Sequence, residues 1–114
     1  LKTGRIEFEG AKSALLDTSL SLLDRVAGTL LRCGDVGIEV AAHADSDGSE
    51  TQNRELTQAR AETVVDYLVD AGVKREQLTA MGYGEDNPIA DNATEEGKQA
   101  NRRIEFAVQL PNGG

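Results

Sequence analysis

Residues 38–72 read IEVAAHADSDGSETQNRELTQARAETVVDYLVDAG, and this stretch decides the fold. It begins with Ile38, Val40 and Ala42 alternating with other side chains, a pattern that predicts a strand with an apolar face. The polar residues 45–51 follow, and they predict a loop. The stretch therefore predicts a strand that runs directly into a polar loop.

A helix follows the loop. We predict that Asn53 caps its start, that it continues through Ala71 and that Gly72 ends it. With Leu56 at zero and about 100° per residue, Arg60 falls at about 40°, inside the apolar sector of the helix. An arginine in that sector is unusual, because a charge that faces a core is costly unless something pairs with it.

Outward from this stretch, the same two periodicities recur. The further predicted elements are a strand around Ile6 and Phe8, a helix capped by Thr18 or Ser19 and ended by Gly34, a strand over 78–83, a short helix capped by Thr94, and a strand over 103–110. The order is therefore strand, helix, strand, helix, strand, short helix, strand.

This order predicts an α/β (α+β) fold, a two-layer sandwich in which helices cover one face of a mixed sheet. The connection between the second and third strands is long enough for a parallel crossover unit. Glu7, Glu39 and Glu105 occupy the strand face opposite the aliphatic residues, so we expect that face to meet water. Residues 1–114 are expected to form a single domain with a core over about 5–110 and a tail at 111–114.

Composition excludes several classes of partner. The 114 residues carry a formal net charge of −8, which argues against nucleic acid or anionic lipid as the main partner. No apolar run reaches membrane-spanning length. Cys33 is the only cysteine, so neither an internal disulfide nor a thiolate zinc cluster is available.

Asp45 lies fifteen positions before Arg60, just past the end of the predicted strand. Both charges are therefore expected near the carboxyl ends of parallel strands, where open sheets usually bind ligands. One interpretation is an ion pair that ties the loop to the helix. The other is a clamp in which Asp45 takes an ammonium group and Arg60 takes a carboxylate, as an amino-acid head group would require. Helix N–H groups after Asn53 would add donors for that carboxylate.

Three further motifs carry a family resemblance. Residues 43–49 read HADSDGS, residues 82–90 read GYGEDNPIA and residues 101–105 read NRRIE. Together with Asn53 and Arg60, in this order, they resemble the OmpA-like peptidoglycan-binding domain of outer-membrane porin-like proteins, peptidoglycan-associated lipoproteins and flagellar stator proteins. The similarity extends from about Ile6 to Val108.

The resemblance implies noncovalent binding of peptidoglycan through the meso-diaminopimelate of its stem peptide, without cleavage and without a cofactor or metal. Asp45 would bind the ammonium at the D-centre, Arg60 would bind the neighbouring carboxylate, Arg102 would border the pocket and Asn53 would shape the loop. Such a domain would anchor a larger envelope protein to the cell wall from the periplasm. Any attachment to the outer membrane would come through segments outside this chain.

One departure and several alternatives accompany this expectation. Ala44 stands where the family usually has threonine, which removes a hydroxyl hydrogen bond worth about 1 kcal/mol. The runner-up function is an interaction module of the same fold without affinity for the cell wall. A hydrolase built from Ser46, His43 and Asp45 lacks a nucleophile elbow, and the loop departs from the calcium-loop template. We expect His43 to anchor the loop by a hydrogen bond.

Overall fold

The computed structural model describes residues 6, 8, 14–15, 17–32 and 36–109. Its elements are α1 (Asp17–Arg32), β1 (Gly37–His43), α2 (Glu50–Asp70), a 3-10 turn (Arg75–Gln77), β2 (Leu78–Gly84), α3 (Glu95–Asn101) and β3 (Arg103–Gln109). This confirms the predicted order from the first helix onward. None of these helices is both long and apolar enough to cross a membrane.

The described strands form a mixed sheet in the order β2-β1-β3. β1 runs parallel to β2 and antiparallel to β3, which confirms the predicted parallel unit. The carboxyl ends of β1 and β2 therefore meet at one edge, where His43 pairs with Gly84. Phe8 makes an isolated antiparallel bridge to Leu15. Of the strand predicted around it, only Ile6 and Phe8 belong to the described residues.

The core lies between the sheet and the two long helices. Val40 of β1 is fully buried together with Leu23 of α1 and Leu68 of α2. Burying aliphatic side chains of this size contributes roughly 1.5–3 kcal/mol each. The apolar side chains of β1, α1 and α2 thus pack together in one layer between the sheet and the helices. This confirms the two-layer sandwich.

The opposite face of the sheet is only partly open to water. Glu105 is exposed there, but Ala41 and His43 are buried. The imidazole of His43 stacks on the ring of Tyr83, with centroids 5.2 Å apart and planes 10° from parallel. The expectation of a wet face is therefore wrong at the carboxyl end of β1, because neighbouring side chains on the same face cover it.

The helix starts depart from the predictions at two places. α2 begins after Ser49, whose Oγ accepts a hydrogen bond from the backbone N–H of Gln52 at 3.0 Å. Asn53 is therefore not the cap, and its own backbone N–H donates to the carbonyl of Ser49. α1 begins at Asp17, so Thr18 and Ser19 lie inside its first turn and not at the position before it.

Two other predicted helix boundaries agree with the structure, while Gly34, the predicted end of the first helix, lies outside the described residues. Thr94 caps α3, with its Oγ1 accepting from the N–H of Gly97 at 3.0 Å. α2 ends at Asp70, and Gly72 follows with a φ of 112°, a backbone conformation that favours glycine.

α2 packs very closely on β2, and this contact fixes the height of the helix above the sheet. A Cβ on Gly82 would lie 2.1 Å from the backbone nitrogen of Gln58. The Gln58 side chain also occupies the outer edge of β2, since its Nε2 donates to the carbonyl of Ala80 at 3.1 Å and its Oε1 accepts from the N–H of Gly82 at 2.8 Å. The amide thus satisfies groups that an edge strand would otherwise expose.

Candidate functional site

The loop between β1 and α2 lies at the carboxyl edge of the parallel strands. Its first residue, Ala44, donates its backbone N–H to the carbonyl of Gly84 at 2.8 Å. Ala44 is buried, so the position at which the family usually has threonine lies inside the fold. This hydrogen bond ties the start of the loop to the end of β2 and fixes where Asp45 leaves the sheet.

Asp45 is a buried carboxylate with both oxygens in use. Its Oδ1 accepts the backbone N–H of Asp47 at 2.9 Å, and its Oδ2 accepts from Nη1 of Arg102. The structure therefore gives Asp45 an intramolecular ion pair, but the partner is Arg102 and not the arginine that helical periodicity singled out. A buried charge is stable when it is paired and hydrogen-bonded in this way.

Asn53 holds the loop from inside the first turn of α2. Its Nδ2 donates to the carbonyl of Asp47 at 2.7 Å and lies 3.3 Å from the carbonyl of Asp45. The same group lies 3.0 Å from Oε1 of Glu85 in the turn after β2. Asn53 therefore joins the Asp45 loop to the β2 turn through one buried amide.

Arg60 is half-buried on the sheet side of α2. Its guanidinium carbon lies 4.7 Å from the centre of the Phe8 ring, a cation–π contact that explains how an arginine occupies the apolar sector. Burial, followed by the positive charge of Arg102, lowers the pKa of Arg60 below its ordinary value. The two arginines of the predicted site thus lie near enough to affect each other electrostatically.

Arg102 follows α3 and connects two acidic residues. Besides Asp45 it contacts Glu95, with Nη2 3.1 Å from Oε2. Burial lowers the pKa of Arg102, but the hydrogen bonds to Glu95 and Asp45 outweigh it, so the pKa is raised overall. The sequence placed Arg102 only at the border of the pocket, whereas the structure places it directly on Asp45.

A small cavity of about 20 Å³ joins the two arginines. Its lining consists of Ile6, Phe8, Ala42, His43, Arg60, Arg102, Arg103 and Ile104. This volume holds about one water molecule, far less than an amino-acid head group needs. An incoming ligand would therefore have to open the site by moving a side chain.

A larger groove of about 340 Å³ lies elsewhere, between α2 and β2. Its polar lining includes Glu62, Asp66 and Arg75, of which Asp66 and Arg75 already pair at 3.0 Å. Size favours this groove as a binding site, but the chemistry favours the small cavity, because Arg60 and Arg102 line it and Arg102 contacts the buried carboxylate of Asp45. We therefore take the small cavity and its loop as the candidate site.

Three polar residues support the loop and were not predicted as site residues. Asn101 is fully buried and donates from Nδ2 to Oδ1 of Asn92 at 2.9 Å, and the same oxygen of Asn92 accepts the N–H of Ser46 at 3.3 Å. Lys98 pairs with Asp47 at 3.2 Å. Only Asn101 lies in a motif quoted from the sequence, at residues 101–105, whereas Asn92 and Lys98 lie in none.

His43 does not anchor the loop by a hydrogen bond, so that expectation is wrong. Neither ring nitrogen has a hydrogen-bond partner within the described part of the chain. Its Nε2 lies 3.8 Å from Glu105, and burial, followed by the charge of Arg103, lowers the pKa of His43. A Ser46–His43–Asp45 relay is therefore not assembled among these residues. The described residues also hold no group of three or more metal-ligating side chains.

Two packed layers with a charged loop at the carboxyl edge of the parallel strands define an OmpA-like domain. The peptidoglycan-associated lipoprotein from Burkholderia pseudomallei has this fold, with a TM-score of 0.81 and 28% identity over 92% of this chain and 87% of that chain. The family model of the OmpA family matches residues 7–102. The chain belongs to the OmpA family.

Two relatives are similar along most of the chain. Outer membrane porin F of Pseudomonas fluorescens is 39% identical over 104 residues, or 91% of this chain. The peptidoglycan-binding protein ArfA of Mycobacterium tuberculosis is 40% identical over 105 residues, or 92% of this chain. The chain spans 32% of the length of each of these relatives.

Proposed function

We propose that this domain binds peptidoglycan noncovalently through the diaminopimelate of the stem peptide and thereby anchors a larger envelope protein to the cell wall. The observation that carries the proposal is the convergence of Asp45, Arg60 and Arg102 at one edge of the sheet. The names of ArfA and of the Burkholderia lipoprotein, which refer to peptidoglycan, support it. The expected location is the periplasm, at the cell wall.

The chemistry of the three side chains suits an amino-acid head group. The carboxylate of Asp45 takes the ammonium at the D-centre, and the guanidinium of Arg60 takes the neighbouring carboxylate through two parallel N–H···O bonds. Arg102 borders the same space and adds a second positive charge on the carboxylate side. Asn53 contributes indirectly, because it holds the loop that carries Asp45.

The proposed role is binding without cleavage. Ser46 is exposed, while the ring of His43 stacks on Tyr83. The carboxylate of Asp45 is engaged by Arg102 and by the N–H of Asp47. A hydrolase would need a nucleophile and a base within hydrogen-bond reach of one another, and these three residues are not arranged in that way.

The test is sedimentation with insoluble peptidoglycan. We expect the unmodified domain to sediment with it, and Asp45→Ala and Arg60→Ala to remain in solution. Arg54→Ala is the matched control, because Arg54 is an exposed arginine on the same helix that pairs with Glu50 and Asp86, away from the cavity. An unmodified domain that stays in the supernatant would disprove the tether and favour the interaction module.

Two further measurements test recognition of diaminopimelate and the absence of cleavage separately from binding to the cell wall. Free meso-diaminopimelate should compete with peptidoglycan for the domain, whereas L-lysine, whose single amino-acid head group has the L configuration, should compete poorly. Equal competition by both would contradict recognition of diaminopimelate while leaving cell-wall binding in place. Release of soluble muropeptides during the incubation would contradict binding without cleavage.

A further inference from the structure

The peptide unit between Asp45 and Ser46 is held at both of its ends by asparagine side chains. Its carbonyl oxygen lies 3.3 Å from Nδ2 of Asn53, and its N–H donates to Oδ1 of Asn92 at 3.3 Å. Asn53 belongs to α2, whereas Asn92 lies in the segment that precedes α3. Because the two side chains come from different parts of the fold, together they fix the rotation of this peptide unit.

The rotation of this peptide unit affects the Asp45 side chain. It sets ψ of Asp45 and φ of Ser46, and these angles decide whether the N–H of Asp47 can reach the carboxylate. In the structure that N–H donates to Oδ1 of Asp45 at 2.9 Å, which closes an Asx turn. The turn holds the carboxylate so that its other oxygen, Oδ2, faces Arg102. The direction of the buried carboxylate therefore depends on how the peptide unit is held.

The segment that carries Asn92 is itself fixed on α3. Asn101, at the end of that helix, is fully buried, and its Oδ1 accepts the N–H of Ile89 at 2.7 Å. Its Nδ2 donates to Oδ1 of Asn92 at 2.9 Å and so orients the Asn92 amide. The helix also lies directly against the segment, since a Cβ on Gly97 would lie 1.8 Å from the carbonyl oxygen of Asp91. Asn92 is therefore a rigid support for whatever its oxygen binds.

A single oxygen of Asn92 thus accepts two hydrogen bonds, one from Asn101 and one from Ser46. We propose that Asn92 is a positioning residue of the binding site, which acts through the peptide unit that it shares with Asn53 and sets the direction of the Asp45 carboxylate. This inference rests on the proposed function, because Asp45 is the ligand contact that Asn92 serves. Its role requires an acceptor oxygen at position 92 and no charge there.

The test measures the affinity for meso-diaminopimelate by isothermal titration calorimetry in three variants. Asn92→Leu removes the acceptor, Asn92→Asp keeps an acceptor oxygen, and Ala93→Asp adds the same charge at an exposed neighbouring position. We expect Asn92→Leu to bind about tenfold more weakly than the unmodified domain, because the peptide unit loses one of its two supports. Asn92→Asp should bind as Ala93→Asp does, since the acceptor is retained and only the charge differs from the unmodified domain.

A second readout follows the Asp45 carboxylate without any ligand. In ¹H–¹⁵N spectra the amide proton of Asp47 reports on its hydrogen bond to Asp45, because a carboxylate acceptor shifts an amide proton downfield. We expect the amide protons of both Ser46 and Asp47 to move upfield in Asn92→Leu, and that of Asp47 to stay in place in Asn92→Asp. A change confined to Ser46 would show that Asn92 only satisfies that N–H, and it would overturn the positioning role.

The outcomes separate this inference from the proposed function. Unchanged affinity in Asn92→Leu, or a loss in Asn92→Asp as large as that in Asn92→Leu and beyond that in Ala93→Asp, overturns it. If the unmodified domain binds neither peptidoglycan nor meso-diaminopimelate, the proposed function fails, while the Asp47 signal still decides whether Asn92 orients Asp45. If Asn92→Leu does not fold, Asn92→Ser takes its place, because the shorter side chain brings its hydroxyl less close to the N–H of Ser46.

Discussion

At the scale of single residues, Arg60 shows how a charge can lie in an apolar sector of a helix. Its guanidinium lies over Phe8, and its pKa is lowered by burial and by Arg102. A planar guanidinium suits both this stacking and bidentate binding of a carboxylate, whereas an ammonium suits neither as well. The same geometry therefore serves the packing of the apo domain and the proposed ligand contact.

We predict that Arg60→Lys keeps the charge but weakens peptidoglycan binding at least about tenfold, because the two-pronged donor is lost. Its free energy of unfolding should fall by no more than about 1–2 kcal/mol, the range of a cation–π contact. Sedimentation and urea unfolding measure the two effects. A loss of stability large enough to account for the loss of binding would assign Arg60 a structural role instead.

His43 gives the domain a pH dependence of stability. Burial, followed by the charge of Arg103, lowers its folded pKa below 6.5, although Glu105 and Glu39 act in the opposite direction. The unfolded chain therefore binds the proton more tightly. The stabilising contribution is complete above about 6.5 and is lost as the pH falls from there through the folded pKa.

We therefore expect the free energy of unfolding to decrease as the pH falls from about 7 through the ordinary histidine pKa of about 6.5. His43 is the only histidine in the chain, so His43→Phe, which keeps a ring against Tyr83, should flatten the profile in this window. Urea unfolding at a series of pH values measures it. Glu105, whose pKa is lowered mainly by its hydrogen bond to Arg103, would act only below about 4.5. An identical slope in His43→Phe would contradict the assignment.

At the scale of secondary-structure elements, the contact between α2 and β2 controls the position of the site. The backbone of α2 occupies the space that a side chain at position 82 would need. A Cβ placed on Gly82 would lie 2.1 Å from the backbone nitrogen of Gln58 and 2.6 Å from the carbonyl carbon of Thr57. The Oγ1 of Thr57 also accepts the N–H of Gly84 at 3.0 Å. Because α2 carries Asn53 and Arg60, any shift of this helix moves half of the candidate site.

We predict that Gly82→Ala lowers the free energy of unfolding by about 3 kcal/mol or more, since backbone cannot yield as a flexible side chain can. Gly28→Ala is the matched control. A Cβ at Gly28 meets nothing within 4 Å, and the residue lies inside α1, so the change should stabilise by about 0.5–1 kcal/mol. Thermal or urea unfolding compares them, and similar effects of the two substitutions would refute the close approach.

At the scale of the whole molecule, one core joins both layers. Side-chain contacts reinforce it on each side: the Tyr67 hydroxyl donates to Asp24 at 2.6 Å between α2 and α1, and the Tyr83 hydroxyl donates to Glu39 at 2.8 Å between β2 and β1. The chain has two tyrosines and no tryptophan, so its fluorescence reports on these two places. A shared core implies that helices and sheet unfold together.

We expect the urea transitions followed by far-UV circular dichroism and by tyrosine fluorescence to coincide. Tyr83→Phe leaves only Tyr67, whose fluorescence follows the helix pair. Tyr67→Phe leaves only Tyr83, whose fluorescence follows the strand pair. The two midpoints should agree after correction for the small effect of each substitution. A helix-pair transition that precedes the strand-pair transition would mean that α1 and α2 melt before the sheet.

Local patterning was sufficient for the elements from α1 onward, for their order and for the two layers, because apolar periodicity and the glycine after α2 act over a few residues. It also identified Asp45, Arg60, Arg102 and Asn53 as candidates, through periodicity and the family motifs. It was wrong where a choice depended on distant neighbours. Ser49, not Asn53, caps α2, because the Asn53 amide is engaged by the loop and by the β2 turn.

Only the tertiary structure decided which charges meet. Asp45 and Arg102 are separated by 57 positions, and Phe8 lies far before Arg60 in the chain, so no local pattern relates either pair. Their meeting depends on β1 lying between β2 and β3 and on the height of α2 above the sheet. Periodicity in the sequence indicates which side of a helix or strand a residue occupies. The residue that it contacts is determined by long-range packing, which brings separate elements together.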